Sequence, residues 1–175
     1  MTERVILVDT EDNAIGTMDK MEAHVLGKLH RAFSIFVFNS KGKLLLQQRA
    51  HDKYHSGGQW TNTCCSHPRF GEDTLNAANR RLAEEMGMQC NLTYEFKFIY
   101  KAKLTEELSE HELDHVFFGV SDNLPLINEE EVSAYKYVSI ESLKEDIAVN
   151  PAMYTEWLKI CLNQVSTVYS KHFMV

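Results

Sequence analysis

The chain has 175 residues, of which 44% are hydrophobic and 25% charged, and its formal net charge is −7. That length can bury a core without disulfide or metal staples, so we expect one domain over residues 1–175. The negative charge argues against non-specific binding of nucleic acid, which requires a basic surface. An anionic substrate would therefore need a local cluster of Lys and Arg.

The sequence also argues against a membrane or secreted location. No stretch is long and apolar enough to span a bilayer, and Asp9, Glu11, Asp12 and Asp19 near the start argue against a signal or transit peptide. The four cysteines, at positions 64, 65, 90 and 161, form no C-x-x-C motif. We therefore predict a reduced, cytoplasmic protein without disulfide bonds.

The first part of the chain alternates apolar runs with turn residues. Residues 5–9 are predicted as a short strand, and residues 30–38, aromatic and β-branched on both faces, as a central strand. The turn at 39–42 then leads into a paired strand over 43–49. Residues 51–59 contain two glycines and show no periodicity, which predicts a loop over the surface.

The clearest helix covers residues 73–86. Its apolar residues recur at helical spacing, and Gly87 stands where a C-terminal glycine belongs. Two further strands, over 92–103 and 111–120, are predicted on either side of an acidic loop.

The last part of the chain is predicted to hold a charged turn at 128–132, a short strand at 135–138 and a short helix at 140–147. Asn150 as N-cap and Pro151 at the first helical position are predicted to open a final helix. Its apolar stripe comprises Tyr154, Trp157, Leu158, Cys161, Val165, Val168 and Tyr169. The predicted fold class is α+β, a mixed β-sheet flanked by α-helices.

Glu110 and Glu112 are the first residues that indicate chemistry. Side chains alternate along a strand, so both carboxylates point to one face and His111 to the other. Two carboxylates on one face repel each other unless a cation lies between them or one holds a proton. Taken alone, the pair is better explained as a solvated edge strand.

Three separated imidazoles, those of His24, His30 and His67, could add to this pair. Any one of them alone is more simply a hydrogen-bonded or surface histidine. Together with Glu110 and Glu112 they would make a set of three nitrogens and two oxygens, which suits zinc or a divalent first-row metal better than calcium. The sequence by itself does not show that the five converge.

The predicted helix carries Arg81 and Glu85 at positions i and i+4. The simpler explanation is a surface ion pair worth about 0.3–0.5 kcal/mol. The alternative is that Glu85 binds Mg²⁺ while Arg81 binds a phosphate oxygen. Lys20, Arg49 and Lys53 could then complete a diphosphate clamp, since Arg and Lys are the usual phosphate partners.

Cys65 and Trp157 are each open to two interpretations. Cys65 could be a buried structural thiol, but its proximity to His67 and to basic residues makes a reactive thiol plausible. Trp157 could be a core residue of the final helix, or it could face a pocket and stabilise a cation through its π face.

Together these residues resemble the type I isopentenyl-diphosphate isomerase family, a branch of the Nudix fold, over about residues 1–160. The segments that carry the resemblance are His30–Ser34, Leu44–Arg49, Thr61–Pro68, Glu110–Glu112 and Tyr135–Val138. The Nudix pattern G-x5-E-x7-R-E-U-x-E-E-x-G-U, in which U is a bulky apolar residue, is matched at Glu72, Arg80, Leu82, Glu84, Glu85, Gly87 and Met88. The chain departs from it at Ser66, where the pattern has Gly, and at Arg81, where it has Glu. The Arg suits holding a diphosphate rather than cleaving it, which favours the isomerase over the hydrolase.

The resemblance implies a role for each site residue. His24, His30, His67, Glu110 and Glu112 would bind a first divalent metal, which could be Mn²⁺, Mg²⁺ or Zn²⁺. Glu85 and the carbonyl group of Cys65 would hold Mg²⁺ against the substrate diphosphate, and Lys20, Arg49, Lys53 and Arg81 would contact the phosphates. Cys65 and Glu112 would be the acid–base pair, with Tyr100 beside Glu112 and Trp157 against the hydrocarbon.

The implied reaction is the interconversion of isopentenyl and dimethylallyl diphosphate in isoprenoid biosynthesis. We predict that Glu112 protonates C4, that Cys65 removes a proton from C2, and that the roles reverse in the back reaction. The implied partner is a small-molecule diphosphate, with no nucleic acid or membrane, and the expected state is a monomer or weak homodimer. A Nudix hydrolase and a non-catalytic metal-stabilised module are the alternatives.

Overall fold

The computed structural model describes residues 3–173. These residues form nine strands: β1 Arg4–Val8, β2 Ala14–Asp19, β3 His30–Phe38, β4 Leu44–Arg49, β5 Trp60–Thr61, β6 Cys64–Ser66, β7 Thr93–Lys103, β8 Ser109–Val120 and β9 Val132–Val138. The helices are α1 Lys20–Leu26, α2 Thr74–Met86, α3 Ile140–Val149 and α4 Glu156–Phe173, with a 3₁₀ turn at Pro151–Met153. The predicted mixed sheet flanked by helices is confirmed.

The sheet is built around β3. This strand pairs in parallel with β8 over its whole length, and antiparallel with β1, β4 and β6. The hairpins β1–β2 and β7–β8 and the β4–β9 pair extend the sheet. The parallel register places His30 beside Glu112, so a pairing between residues 82 apart in sequence brings two site residues together.

Each face of the sheet is covered by different helices. Because side chains alternate along β3, Phe36 and Phe38 pack in the core that α3 and α4 cover, while Phe33 and Ile35 pack in the core beneath α2. The predicted central strand is thus buried on both faces. Parallel pairing usually requires such two-sided cover.

Helix α2 confirms the prediction for residues 73–86, with Asp73 as its N-cap. The Asp73 side chain accepts a hydrogen bond from the backbone N–H of Asn76, and Gly87 ends the helix in the left-handed conformation at φ 61°.

Within residues 3–173, no helix combines the length and hydropathy that crossing a membrane would need.

The sequence did not predict α1, β2, β5 or β6, all of which are too short to show a period. Helix α1 has seven residues and depends on its ends: the Asp19 side chain accepts from the N–H groups of Met21 and Glu22, and Gly27 closes it at φ 65°. This helix delivers His24 to the interior, where it is fully buried.

The predicted start of the final helix is wrong. Asn150 makes no side-chain capping bond there; instead its amide donates to Asp146 at 3.0 Å, and Pro151 opens only the 3₁₀ turn. Tyr154 is extended and bridges to Trp60, so it is not part of the helical stripe. Helix α4 begins at Glu156, because the chain is first held against β5 by this bridge.

Candidate active site

A cavity of about 620 Å³ collects most of the predicted site residues. Those that line it are Lys20, Arg49, Lys53, Cys65, His67, Arg81, Glu85, Glu110, Glu112 and Trp157. The other three, His24, His30 and Tyr100, lie behind its wall and contact Glu110 or Glu112. All thirteen predicted residues therefore belong to one region.

The imidazoles and the two carboxylates interlock. Nε2 of His24 lies 2.8 Å from Oε1 of Glu110. Nε2 of His30 and Nε2 of His67 lie 3.1 and 2.7 Å from the same oxygen of Glu112, Oε2. Period two on β8 points both carboxylates inward, as predicted, while His111 turns away to the carbonyl oxygen of Gly27.

The backbone fixes the tautomers of two of these histidines. Nδ1 of His24 lies 2.6 Å from the carbonyl oxygen of Lys20, and Nδ1 of His30 lies 2.9 Å from that of Lys28. A carbonyl oxygen only accepts, so both Nδ1 atoms carry protons and both Nε2 lone pairs face carboxylates when the rings are neutral. A cation between nitrogen and oxygen, or a second proton on the ring, makes these contacts attractive.

Without a metal ion, protonation of the rings would supply the positive charge that makes these contacts attractive. Burial opposes the charged form of His24 and of His30, but the hydrogen bonds and charges of Glu110 and Glu112, with the backbone hydrogen bonds at Nδ1, together outweigh it and raise both pKa values. Burial likewise favours the neutral form of Glu112, but hydrogen bonds with His30 and His67 hold its pKa well below the usual range.

These donors fit a divalent metal. Oε2 of Glu110 is buried without a hydrogen-bond partner. The ligand atoms of His30, His67, Glu110 and Glu112 lie within 4.8 Å of one another, and so do those of His24, His55 and Glu110. Mixed imidazole and carboxylate donors suit zinc or a first-row divalent ion. The residues could therefore hold a metal, and Glu110 belongs to both groups.

His55 belongs to one of these donor groups, and the sequence did not predict it. The prediction that residues 51–59 run over the surface is wrong here, because Lys53, Tyr54 and His55 line the cavity and the His55 residue is only 5% exposed. Its Nε2 lies 3.0 Å from Oε1 of Glu110. A loop without periodicity gives no signal for such burial.

Glu85 lies apart from both of these groups. It is almost fully buried, accepts a hydrogen bond from the Cys64 thiol at 2.7 Å, and lies 3.6 Å from Arg81. Burial raises its pKa, although the charge of Arg81 opposes the shift. One protein carboxylate beside a cavity suits Mg²⁺, which keeps most of its waters or takes phosphate oxygens.

Three of the four predicted phosphate-binding cations are paired with carboxylates. Lys20 Nζ lies 2.9 Å from Glu3, and Lys53 Nζ lies 2.6 Å from Glu131. Arg81 contacts Glu84 at 2.6 Å and lies 3.7 Å from Glu131.

The fourth cation, Arg49, lies over the Trp157 ring at 5.3 Å, and its buried Nε has no hydrogen-bond partner. Glu131, which the sequence did not predict, links two of the four cations, because it contacts both Lys53 and Arg81.

The Cys65 thiol is held by polar neighbours. Its S–H donates to Oδ1 of Asn62 at 3.0 Å, and the indole N–H of Trp157 donates to Sγ at 3.1 Å. Oγ of Ser34 lies 3.6 Å away and donates to the buried carboxyl of Asp114. Burial, and next the charge of Asp114, raise the pKa of Cys65 to about 12, so the thiol form dominates.

Tyr100 lies beside Glu112, and Trp157 lines the cavity. The Tyr100 hydroxyl donates to Oε1 of Glu112, so both oxygens of that carboxylate are engaged. Burial raises the pKa of Tyr100 well above its usual value. Trp157 lines the cavity with its ring while its N–H is committed to Cys65.

Comparison with known proteins places this chain in a family. A NUDIX domain model matches residues 28–158. The chain is 52% identical over 161 residues to an isopentenyl-diphosphate Delta-isomerase of Pectobacterium atrosepticum, covering 92% of this chain and 90% of that one. It is 53% identical over 166 residues to an isopentenyl-diphosphate Delta-isomerase 2 of Photorhabdus laumondii, covering 95% and 94%.

The fold has solved relatives at lower identity. The crystal structure of DR0079 from Deinococcus radiodurans superimposes with a TM-score of 0.77, covering 93% of this chain and 98% of that one. Its sequence is 19% identical, so this likeness bears on the fold alone.

Proposed function

The chain belongs to the isopentenyl-diphosphate Delta-isomerases of the NUDIX domain family, and we propose that Cys65 and Glu112 transfer the protons of its reaction. It interconverts isopentenyl and dimethylallyl diphosphate. The observation that carries the residue assignment is that a thiol, a carboxylate and four cations line one cavity of about 620 Å³.

The reaction is difficult because an alkene is barely basic. Adding a proton at C4 leads toward a tertiary carbocation, and removing one from C2 restores the double bond at its new position. In the forward direction Glu112 gives the proton to C4 and the Cys65 thiolate takes the one from C2. One C–H bond forms and one breaks, so the substrate keeps its charge while a proton passes from Glu112 to Cys65.

The directions of the two pKa shifts favour the charge state that this transfer produces. The low pKa of Glu112 leaves a carboxylate, and the raised pKa of Cys65 leaves a thiol. That pair is ready for the back reaction, in which Cys65 protonates C2 and Glu112 accepts a proton from C4. The forward reaction needs the opposite protonation of the pair, and Tyr100 contributes by donating to Glu112.

A divalent metal would be held by the three predicted histidines with Glu110 and Glu112. Bound there, it would supply positive charge that fixes the orientation of the carboxylates. Mn²⁺, Mg²⁺ and Zn²⁺ are the candidates, since each accepts imidazole or carboxylate donors.

Binding of the diphosphate rests on the four cations and on Glu85. The phosphate oxygens would compete with Glu131 and Glu3 for Lys53, Arg81 and Lys20, while Glu85 and the carbonyl group of Cys65 would share a Mg²⁺ with the diphosphate. Anchoring the diphosphate at this wall leaves the hydrocarbon toward Trp157, whose π face stabilises a carbocation without offering a nucleophile. Arg81, standing where the hydrolase pattern has Glu, supports holding rather than cleaving the diphosphate.

The test is turnover in deuterated water. With Mg²⁺ present, isopentenyl diphosphate should yield dimethylallyl diphosphate labelled at C4, with no phosphate release. The matched variants are Cys65→Ala and Cys90→Ala, because Cys65 lines the cavity and contacts Trp157, whereas Cys90 packs against the core beneath α2. Full turnover by Cys65→Ala would overturn the assignment of Cys65, and phosphate release by the wild type would favour a hydrolase.

A further inference from the structure

We propose that His55 is a metal ligand of this site, adding a fourth imidazole to the set of His24, His30 and His67. The inference rests on the metal role proposed above and extends it. It concerns the chain's own donor set, in which His55 comes from the loop over residues 51–59.

The first observation is the shared carboxylate oxygen. Nε2 of His55 lies 3.0 Å from Oε1 of Glu110, and Nε2 of His24 lies 2.8 Å from the same atom. Because the Lys20 carbonyl holds the proton of His24 on Nδ1, a neutral His24 presents a lone pair to that oxygen. A metal ion makes this contact attractive, and an ion that binds both His24 and Glu110 lies within reach of His55.

The second observation is the setting of the His55 ring. Nδ1 lies 3.0 Å from the hydroxyl oxygen of Ser56, which can accept a hydrogen bond from Nδ1–H and leave the Nε2 lone pair free for a metal. The ring is buried, and it packs against Tyr54 and the edge of Trp157 with centroids 4.4 and 5.9 Å away. A histidine fixed on both sides loses little freedom when it binds.

The third observation is the partner-free oxygen of Glu110. Oε2 is buried without a hydrogen bond, and it lies 3.9 Å from Nε2 of His30 in the other donor group. Glu110 thus faces His24 and His55 with one oxygen and His30 with the other. This arrangement suits a single ion whose donors come from both groups.

The alternative role for His55 is to donate an N–H to Glu110 from outside the coordination shell. His55→Gln would keep an N–H donor but would remove the imidazole. The variants are therefore His55→Gln and His55→Ala. His51→Ala is the matched control, since His51 is an exposed histidine of the same loop.

The experiment counts imidazoles on the metal. X-ray absorption fine structure of the zinc-loaded protein should give four imidazoles in the wild type and in His51→Ala, and three in both His55 variants. Zinc affinity, measured by competition with a chromophoric chelator, should fall about tenfold or more in both His55 variants. Circular dichroism of the metal-free variants checks that they fold.

Three outcomes overturn the inference in distinguishable ways. Three imidazoles in the wild type, or affinity restored by His55→Gln, would place His55 outside the coordination shell and leave the proposed function intact. A wild type that takes up no zinc, manganese or magnesium would instead remove the metal role itself.

Discussion

Two clusters of histidine and carboxylate lie on opposite faces of β3 and β8, and they differ in whether the carboxylate charge is already matched by cations. The first is the proposed metal cage of His24, His30, His67, Glu110 and Glu112, which has His30 and Glu112 on one face of β3 and β8. On the other face Arg31 and His115 hold Asp12, at 2.8 Å each, with Lys97 at 3.6 Å.

The difference lies in how charge is matched. In the outer cluster one carboxylate meets two permanent cations and an imidazole, so the Asp12 charge is already compensated. In the cage the two carboxylates meet imidazoles and the Tyr100 hydroxyl, and one oxygen of Glu110 has no hydrogen-bond partner. Buried carboxylates normally have partners, so the unpaired oxygen of Glu110 supports the proposal that this cluster binds a cation.

The largest expected effect is on turnover, and it separates the two clusters. Cys65→Ala or Glu112→Gln should lower kcat by about 10²–10⁴-fold, the usual contribution of a positioned acid or base. Asp12→Asn should leave kcat unchanged. Steady-state conversion of isopentenyl diphosphate measures all three, and a comparable loss in Asp12→Asn would erase the distinction.

Metal should stabilise the fold through the cage alone. A divalent ion at 100 times its Kd should raise the free energy of unfolding by about 2.7 kcal/mol, because it binds only the folded chain. Chelator should reverse the rise in melting temperature. In Glu110→Gln the rise should shrink, while in Asp12→Asn it should persist; a rise of equal size in Glu110→Gln would exclude the cage as its source.

The cations of the cavity wall are an intermediate case, because they are paired with carboxylates that phosphate oxygens could replace. Arg81→Ala should raise KM about tenfold, since a charge-assisted hydrogen bond to phosphate is lost. Arg31→Ala, which removes a cation from the outer cluster, should leave KM as it is. Saturation kinetics at fixed Mg²⁺ measure both, and an unchanged KM in Arg81→Ala would place the diphosphate elsewhere.

The smallest effect concerns the acid stability that the outer cluster confers. Burial opposes ionisation of Asp12, but the hydrogen bond from Arg31 and the charges of His115, Arg31 and Lys97 together outweigh it and lower its pKa. A lowered pKa contributes stability that is complete above the ordinary value of Asp and is lost as the pH falls through the lower folded value. Asp12→Asn should therefore cost about 1 kcal/mol at pH 7 and less in acid. Urea unfolding at pH 7 and in acid checks this. An equal loss of free energy of unfolding under both conditions would show that the charge of Asp12 does not stabilise the fold.

The sequence alone determined the parts that depend on local pattern. Period two put Glu110 and Glu112 on one face, and helical spacing with Asp73 and Gly87 at its ends gave α2, with Arg81 and Glu85 one turn apart. The identities of the donors pointed to metal and diphosphate chemistry. The strand and helix patterns need only neighbours within a few residues, and the chemistry of the donors was inferred from their identities and the family resemblance.

Only the tertiary structure decided which of these groups meet. The β3–β8 register brings His30 to Glu112, a short capped helix buries His24, and an aperiodic loop turns His55 inward. These placements depend on pairing and packing across tens of residues, to which local periodicity is blind. The start of α4 was mispredicted for the same reason, since a bridge from Trp60 to Tyr154 overrides the local Asn–Pro signal.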